Sequence, residues 1–168
     1  MDLRMYKTQN AIHEAFYELR RKLPLEKIRV NELCALAQIN KSTFYRHYLD
    51  VFDLSDHLER ELIEKVTSRF FSADTLYADP ELFVTGLRCA IQPYREEILI
   101  LFDGRIRNFA ERIEEWLTAI YLNEDSTEEE KITLSFLIGG AIHSFLSPKF
   151  RNEDTAQTII KLLTRLQF

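Results

Sequence analysis

The stretch Ile39-Asn40-Lys41-Ser42-Thr43-Phe44-Tyr45-Arg46-His47-Tyr48 decides how the rest of this chain is read. Read as a short helix from Lys41 to His47, it sorts its side chains by chemistry. Phe44 and Tyr48 stand four residues apart and share one face. They can pack with Leu33, Leu36, Ala37 and Ile39 into a small apolar core. Lys41, Ser42, Tyr45 and Arg46 then point away from that core, with Thr43 and His47 along the flank. Asn40 is placed to cap the helix through its side-chain oxygen.

Working outward, a second short helix, about Val30 to Ala37, precedes the break Gln38-Ile39-Asn40. Two short helices joined by a three-residue turn fit a helix-turn-helix. A helix with one locked apolar side and an outer face of hydrogen-bond donors suits entry into the major groove. Lys41 and Arg46 can bond guanine O6 and N7 or neutralise phosphate. Ser42 and Thr43 can donate to phosphate or touch a thymine methyl. Tyr45 can stack over sugar and donate its hydroxyl to phosphate, and His47 can donate at the helix end. Each has a plainer reading too: a solvated cation, a packing tyrosine, a surface or capping histidine.

These ten residues closely resemble the recognition helix of TetR-family transcriptional regulators, where a V-S-x-x-T-[FL]-Y-x-[HY]-F pattern is typical. Upstream, Ala11, Ala15, Phe16, Leu19, Ile28, Val30, Leu33, Ala35 and Ala37 sit where that family places its small DNA-binding core. The resemblance covers residues 5–55. It implies that Lys41, Ser42, Thr43, Tyr45, Arg46 and His47 face DNA, and that Phe44 and Tyr48 belong to the core. It further implies a homodimer on double-stranded operator DNA, acting as a repressor released by a small molecule. Three positions depart from the pattern. Gln38 stands where the family often has Gly, and a left-handed backbone there costs a non-Gly residue about 1–2 kcal/mol. Arg29 stands where a capping Thr is common; it can contact phosphate but cannot cap. Leu49-Asp50-Val51-Phe52-Asp53 lacks the Lys often found at the start of the fourth helix, which predicts weaker DNA affinity and a shallower salt slope.

Composition is consistent with a folded helical protein. The 168 residues are 46% hydrophobic and 29% charged, with only four Gly and four Pro to interrupt helices. Residues 1–50 carry nine Lys and Arg against six Asp and Glu, a balance of +3, which leaves −8 on the remainder of a chain of net charge −5. A mildly basic head on an acidic body can place a nucleic-acid patch at one end, though the asymmetry alone is a weak signal. No apolar run approaches the roughly 18 residues of a membrane span, and no apolar stretch behind Met1–Tyr6 suggests a signal peptide. Cys34 and Cys89 fall in helical apolar patterns and read as buried small hydrophobes, which fits a reducing cytoplasm.

The expected fold is all-α, with about nine helices: a three-helix DNA-binding domain over 1–50 and a helical dimerisation and ligand-sensing domain over 51–168. The first helix runs from about Lys7 to Lys22, ended by Pro24. Leu54, Leu58, Leu62, Val66 and Phe70 mark a long helix from Val51 to about Ser72. Asp79-Pro80 is a helix start, Gln92-Pro93 a break, and Asp103-Gly104 a stop. Ile106, Phe109, Ile113, Trp116, Leu117 and Ile120 form the inner face of 105–122. Thr127 and Glu130 make a capping box ahead of the apolar helix 127–147, and Glu153–Leu166 closes the chain.

Within the second domain, Phe136, Gly139, Gly140, Ile142, Phe145, Ile159 and Leu163 are the expected dimer interface, because paired glycines let another helix approach closely. An intrachain core helix is the plainer alternative. A pocket for a small apolar or aromatic ligand would draw on Phe71, Tyr77, Phe83, Tyr94, Phe102, Phe109, Trp116, Tyr121 and His143, all of which could equally be core.

No enzyme is expected. His13, His47, His57 and His143 lack metal-ligand spacing, and no P-loop, dinucleotide fingerprint or nucleophile elbow is present. No cofactor is implied. The glutamates of 14–18, 59–64 and 128–130 read as solvated faces. Two rivals to DNA binding stand: the same fold acting on a protein partner, motivated by the missing cation near Val51, and a helical small-molecule carrier with a vestigial head.

Overall fold

Leu3–Arg20 forms the first helix, α1, and buries Ile12, Ala15 and Phe16 on one side. It begins before Lys7 because nothing between Leu3 and Lys7 interrupts a helix, and it ends ahead of Pro24, whose ring cannot continue the ladder. Arg20 Nη1 donates to the Leu23 carbonyl at 2.9 Å, just past the end of the helix. A 3₁₀ turn, Leu25–Lys27, then leads into α2, Val30–Leu36. The computed structural model describes residues 3–71, 75–76, 78–150 and 154–165, with side chains over 5–71, 75–76, 78–150 and 155–162. Every regular element among the described residues is helical.

The exit from α2 is governed by Gln38, which has φ +53, the left-handed conformation expected at that position. Ile39 N–H donates to the Cys34 carbonyl at 3.0 Å and Gln38 N–H to the Ala35 carbonyl at 3.3 Å, the paired bonds that close a helix end around a left-handed residue. The chain turns directly into α3, Lys41–Phe44. Regular α-helix stops at Phe44, short of the expected His47. Arg46 N–H bonds Thr43 and His47 N–H bonds Phe44, so the last turn tightens to i→i−3 spacing before Tyr48 N–H returns to Phe44 at 3.0 Å. Neither Arg29 nor Asn40 makes a side-chain cap. The expected Asn40 cap is replaced by its backbone carbonyl, which accepts from Thr43 N–H at 2.9 Å.

The fourth helix, α4, runs over Val51–Arg69 and is capped by two acids. Asp50 Oδ1 accepts from Phe52 and Asp53 N–H, and Asp53 Oδ2 accepts from Leu49 N–H, each at 2.8 Å. Leu54, Leu58, Leu62, Val66 and Phe70 are buried, as their spacing predicts. Glu59 is buried as well, unlike the solvated residue its neighbours suggested. It shares a helix face with Ser55, whose hydroxyl donates to Glu59 Oε1 at 3.1 Å.

The chain divides into two compact units, Met1–Glu61 and Leu62–Phe168, and the division falls inside α4. The second unit holds α5 (Pro80–Ile91), α6 (Arg95–Leu101), α7 (Ile106–Tyr121), α8 (Glu128–Leu146) and α9 (Asp154–Arg165). Asp79 caps α5 by accepting from Leu82 N–H at 2.9 Å, with Pro80 at the first position. Thr127 and Glu130 form the expected reciprocal box at the start of α8. Gly104, at φ +70, makes the turn between α6 and α7. Within this unit α7 packs along α8 and α5 along α9. Its core includes the edge-to-face pairs Phe70–Phe83 at 5.1 Å and Phe102–Phe109 at 5.3 Å between ring centroids.

Because Gln38 holds a left-handed backbone, Gln38→Gly relieves steric strain that exceeds the added unfolded-state entropy. The expected outcome is a gain of about 0.5–1 kcal/mol in the stability of the first unit, measured by denaturant unfolding. A loss of stability would show that the Gln38 side chain makes a compensating contact.

Candidate nucleic-acid interface

Burial separates the two sides of the 41–48 segment. Phe44 is 0% and Tyr48 5% exposed, whereas Tyr45 is 55% exposed. Lys41, Ser42 and Arg46 are exposed, and Thr43 and His47 half-exposed. Arg29, at the entry to α2, is exposed too. All seven expected DNA-facing residues therefore have solvent access, and the two aromatic anchors do not. Of the neighbours expected around them, Leu33 and Ala37 are buried and Ile39 is half-buried, but Ala35 and Leu36 turn outward. A helix of seven residues has room for one inner stripe only, and Leu33, Cys34 and Ala37 occupy it.

The anchors are held by aromatic and polar contacts. Phe44 meets Tyr45 edge to face at 5.5 Å and Tyr48 at 5.9 Å between centroids. The Tyr48 hydroxyl accepts from Gln9 Nε2 at 3.2 Å and lies 2.7 Å from His13 Nε2. Burial pushes the Tyr48 phenol above its ordinary range. The Gln9 hydrogen bond opposes that rise, and the nearby Glu61 and Asp53 carboxylates add to it. The hydroxyl thus keeps its proton at neutral pH. Buried Cys34 has its thiol pushed up by burial, against a smaller opposing pull from the Lys41 charge. Cys89, expected to be buried, is exposed on α5; both cysteines are free.

On the outer side, Arg46 Nη2 donates to Thr43 Oγ1 at 3.2 Å, which aligns the guanidinium along the turn. Hydroxyls and cations on one exposed face can donate to phosphate and to base edges. The 49–53 corner has a different character. Its two aspartates serve as helix caps, and Leu49 is 80% exposed beside exposed Phe52. The corner lacks the cation, and its capping role is not evident from the missing Lys alone; Asp50 with Asp53 three residues on, ahead of an apolar stripe, is analogous to a capping box.

The expected ligand set does not converge. Phe71 is 78% exposed and His143 is exposed on the outer side of α8, so neither lines an interior cavity. Phe102 and Phe109 pack on each other in the core. Trp116 stacks near Phe70 at 6.1 Å, and Tyr94 lies under the Arg69 guanidinium at 5.9 Å. Phe83 is buried between Phe70 and Tyr121, whose hydroxyl accepts from Leu76 N–H at 2.6 Å. Tyr77 lies outside the described residues. An open groove of about 450 Å³ between α7 and α8 is lined by Arg107, Glu111, Glu114, Glu115, Thr118 and Ser135, none of them in that set.

The expected dimer residues also divide. Phe136 is 72% exposed, Gly140 is exposed and Gly139 half-exposed, and a Cβ at either glycine would meet nothing within 4 Å. Ile142 and Phe145 are buried within the second unit, so they serve its own core rather than an interface. They lie on the side of α8 shared with Leu134, Ile138 and Ala141, opposite the glycines. Ile159 is half-buried on α9, and the Leu163 side chain lies outside the described residues.

The division within 41–48 predicts opposite responses at adjacent positions. Phe44→Ala should destabilise the first unit by about 3–5 kcal/mol, while Tyr45→Ala should cost about 1 kcal/mol or less. Urea unfolding of the two variants checks this, and comparable losses would contradict the division. No protein-family model and no curated protein matches this chain.

Proposed function

We propose that this chain is a DNA-binding regulator of transcription in which α2 and α3 act as a helix-turn-helix. The observation that carries this reading is the exposed hydroxyl-and-cation face on a segment whose aromatic face is buried. Lys41 and Arg46 read guanine or neutralise phosphate, Ser42, Thr43 and His47 donate to phosphate, and Tyr45 lies against sugar and phosphate. Arg29 adds a backbone contact. The resemblance to TetR-family regulators supports the same assignment and adds a repressor acting as a homodimer.

Two copies read a (pseudo)palindromic operator, with recognition segments about 34–36 Å apart in successive major grooves. Exposed Phe136 beside open Gly139 and Gly140 supports close approach of a second copy through α8. Half-buried Tyr94 and Trp116 are where a small apolar or aromatic molecule finds an aromatic edge, and such a molecule releases the repressor. A second reading, docking on a protein partner, draws on exposed Leu49 and Phe52 at a corner without a cation.

Binding of the full chain to DNA fragments flanking its own gene, across a salt series, tests the proposal. With Arg29, Lys41 and Arg46 each neutralising one phosphate in both copies, log K falls with log salt at a slope of about −5. Arg46→Ala should shift that slope by about 2 toward zero. Tyr45→Ala and Lys41→Ala should each weaken binding about tenfold at fixed salt. Unchanged binding in Tyr45→Ala and Arg46→Ala would remove the proposed face. A protein captured by the wild type and released by Leu49→Ala with Phe52→Ala, without DNA retention at any salt, would favour the second reading.

A further inference from the structure

We propose that Gln9 and His13 of α1 are positioning residues that fix the DNA-facing turn through the Tyr48 hydroxyl, and that this clamp holds only while His13 is neutral. The proposal rests on the DNA-binding reading for its consequence, but not for its geometry. Tyr48 directly follows the turn that carries Tyr45, Arg46 and His47, and its N–H returns to Phe44 at 3.0 Å. Where the Tyr48 ring sits therefore sets where that turn sits against α1.

With His13 in the tautomer that leaves Nε2 unprotonated, the bonds have one direction. The Tyr48 oxygen accepts from Gln9 Nε2 at 3.2 Å, so its single proton is left for His13 Nε2 at 2.7 Å. An imidazole nitrogen accepts only when the ring is neutral and carries its proton on the other nitrogen. A protonated His13 presents an N–H at Nε2 instead. Two donors and the phenol proton then converge on one oxygen, in a side chain only 5% exposed. The shortest bond of the clamp must reverse its direction, and the buried hydroxyl proton is left without its acceptor.

The surrounding charges come from three elements. The α4 helix brings the His57 ring to 5.5 Å from Tyr48 and 6.0 Å from His13, with His57 Nε2 3.2 Å from Glu61 Oε1. Asp53 and Glu61 are the carboxylates that face the phenol, and the His47 ring lies 6.2 Å from Tyr48 on the turn itself. The α1 helix contributes Gln9 and His13. The clamp's contribution is present while His13 is neutral and is lost as falling pH protonates it.

The test compares the full wild-type chain with Tyr48→Phe and His13→Gln. At pH 8 and fixed salt the wild type should bind the DNA fragment about fivefold more tightly than Tyr48→Phe, the factor of one net hydrogen bond. At pH 5.5 that ratio should fall toward one. Taking the ratio cancels pH effects that both proteins share. His13→Gln keeps a side-chain acceptor without a titrating ring, so it should bind like the wild type at pH 8 and make the ratio to Tyr48→Phe insensitive to pH. In the free protein, amide resonances of residues 41–48 should titrate with the His13 ring in the wild type, and not in either variant. A ratio that is unchanged or larger at pH 5.5 would overturn the proposal, since a reversed Gln9 amide would strengthen the clamp in acid. Amide shifts at residues 41–48 that follow the midpoint of the His13 ring resonances and persist in Tyr48→Phe would overturn it too. Loss of DNA binding by every protein, wild type included, would instead count against the regulator reading, and the amide titration would still decide the clamp.

Discussion

The burial of Phe44 and Tyr48 is the constraint on which the first unit depends. A helix of one turn has no stability of its own, because nucleation costs more than its few hydrogen bonds return. The segment from Lys41 to Tyr48 keeps its conformation because two aromatic rings leave water on one side. Removing those rings from solvent is worth on the order of 2–3 kcal/mol each. The opposite side is then exposed by necessity, and it carries Lys41, Ser42, Tyr45 and Arg46. Anchoring and presentation are two consequences of one packing event. The anchored side includes a buried hydroxyl tied to α1 at Gln9 and His13, which gives the interior a polar, directional contact as well as an apolar one.

The ends of the short helices show how local chemistry bends to that packing. Gln38 takes a left-handed backbone that glycine would adopt without strain, because the chain must reverse immediately for α3 to lie over α2. Asp50 and Asp53 cap α4 with their carboxylates, and this places negative charge and two exposed apolar side chains, Leu49 and Phe52, where a cation would strengthen phosphate binding. At this corner the carboxylates satisfy the free N–H groups of the helix start. The cations of the proposed DNA-facing side are Arg29, Lys41 and Arg46.

The second unit is organised by helix pairs whose inner faces are filled with aromatic and aliphatic side chains. Its α8 helix is apolar around most of its circumference, and only one side can be covered within the unit. Leu134, Ile138, Ala141, Ile142 and Phe145 take the covered side, leaving Ile132, Phe136 and the glycine pair outward. Phe102 and Phe109, which by composition alone could line a cavity, fill the interior instead.

The sequence by itself determined the helical class, the approximate limits of α2, α4, α5, α7 and α8, the capping box at Thr127, and the division of 41–48 into inner and outer sides. These follow from periodicity, from proline, and from capping chemistry, all of which act within a few residues. It could not decide which side of an all-apolar helix is buried, so Ile142 and Phe145 were indistinguishable from Phe136. Nor could it place Glu59 indoors or Phe71 and Cys89 outdoors, because a helical stripe fixes relative angles around an axis but not which neighbour covers them. Only the tertiary structure brought Gln9, His13, Tyr48 and His57 together, since contacts between residues 35 to 39 apart in the chain depend on how α1 lies against the end of α3.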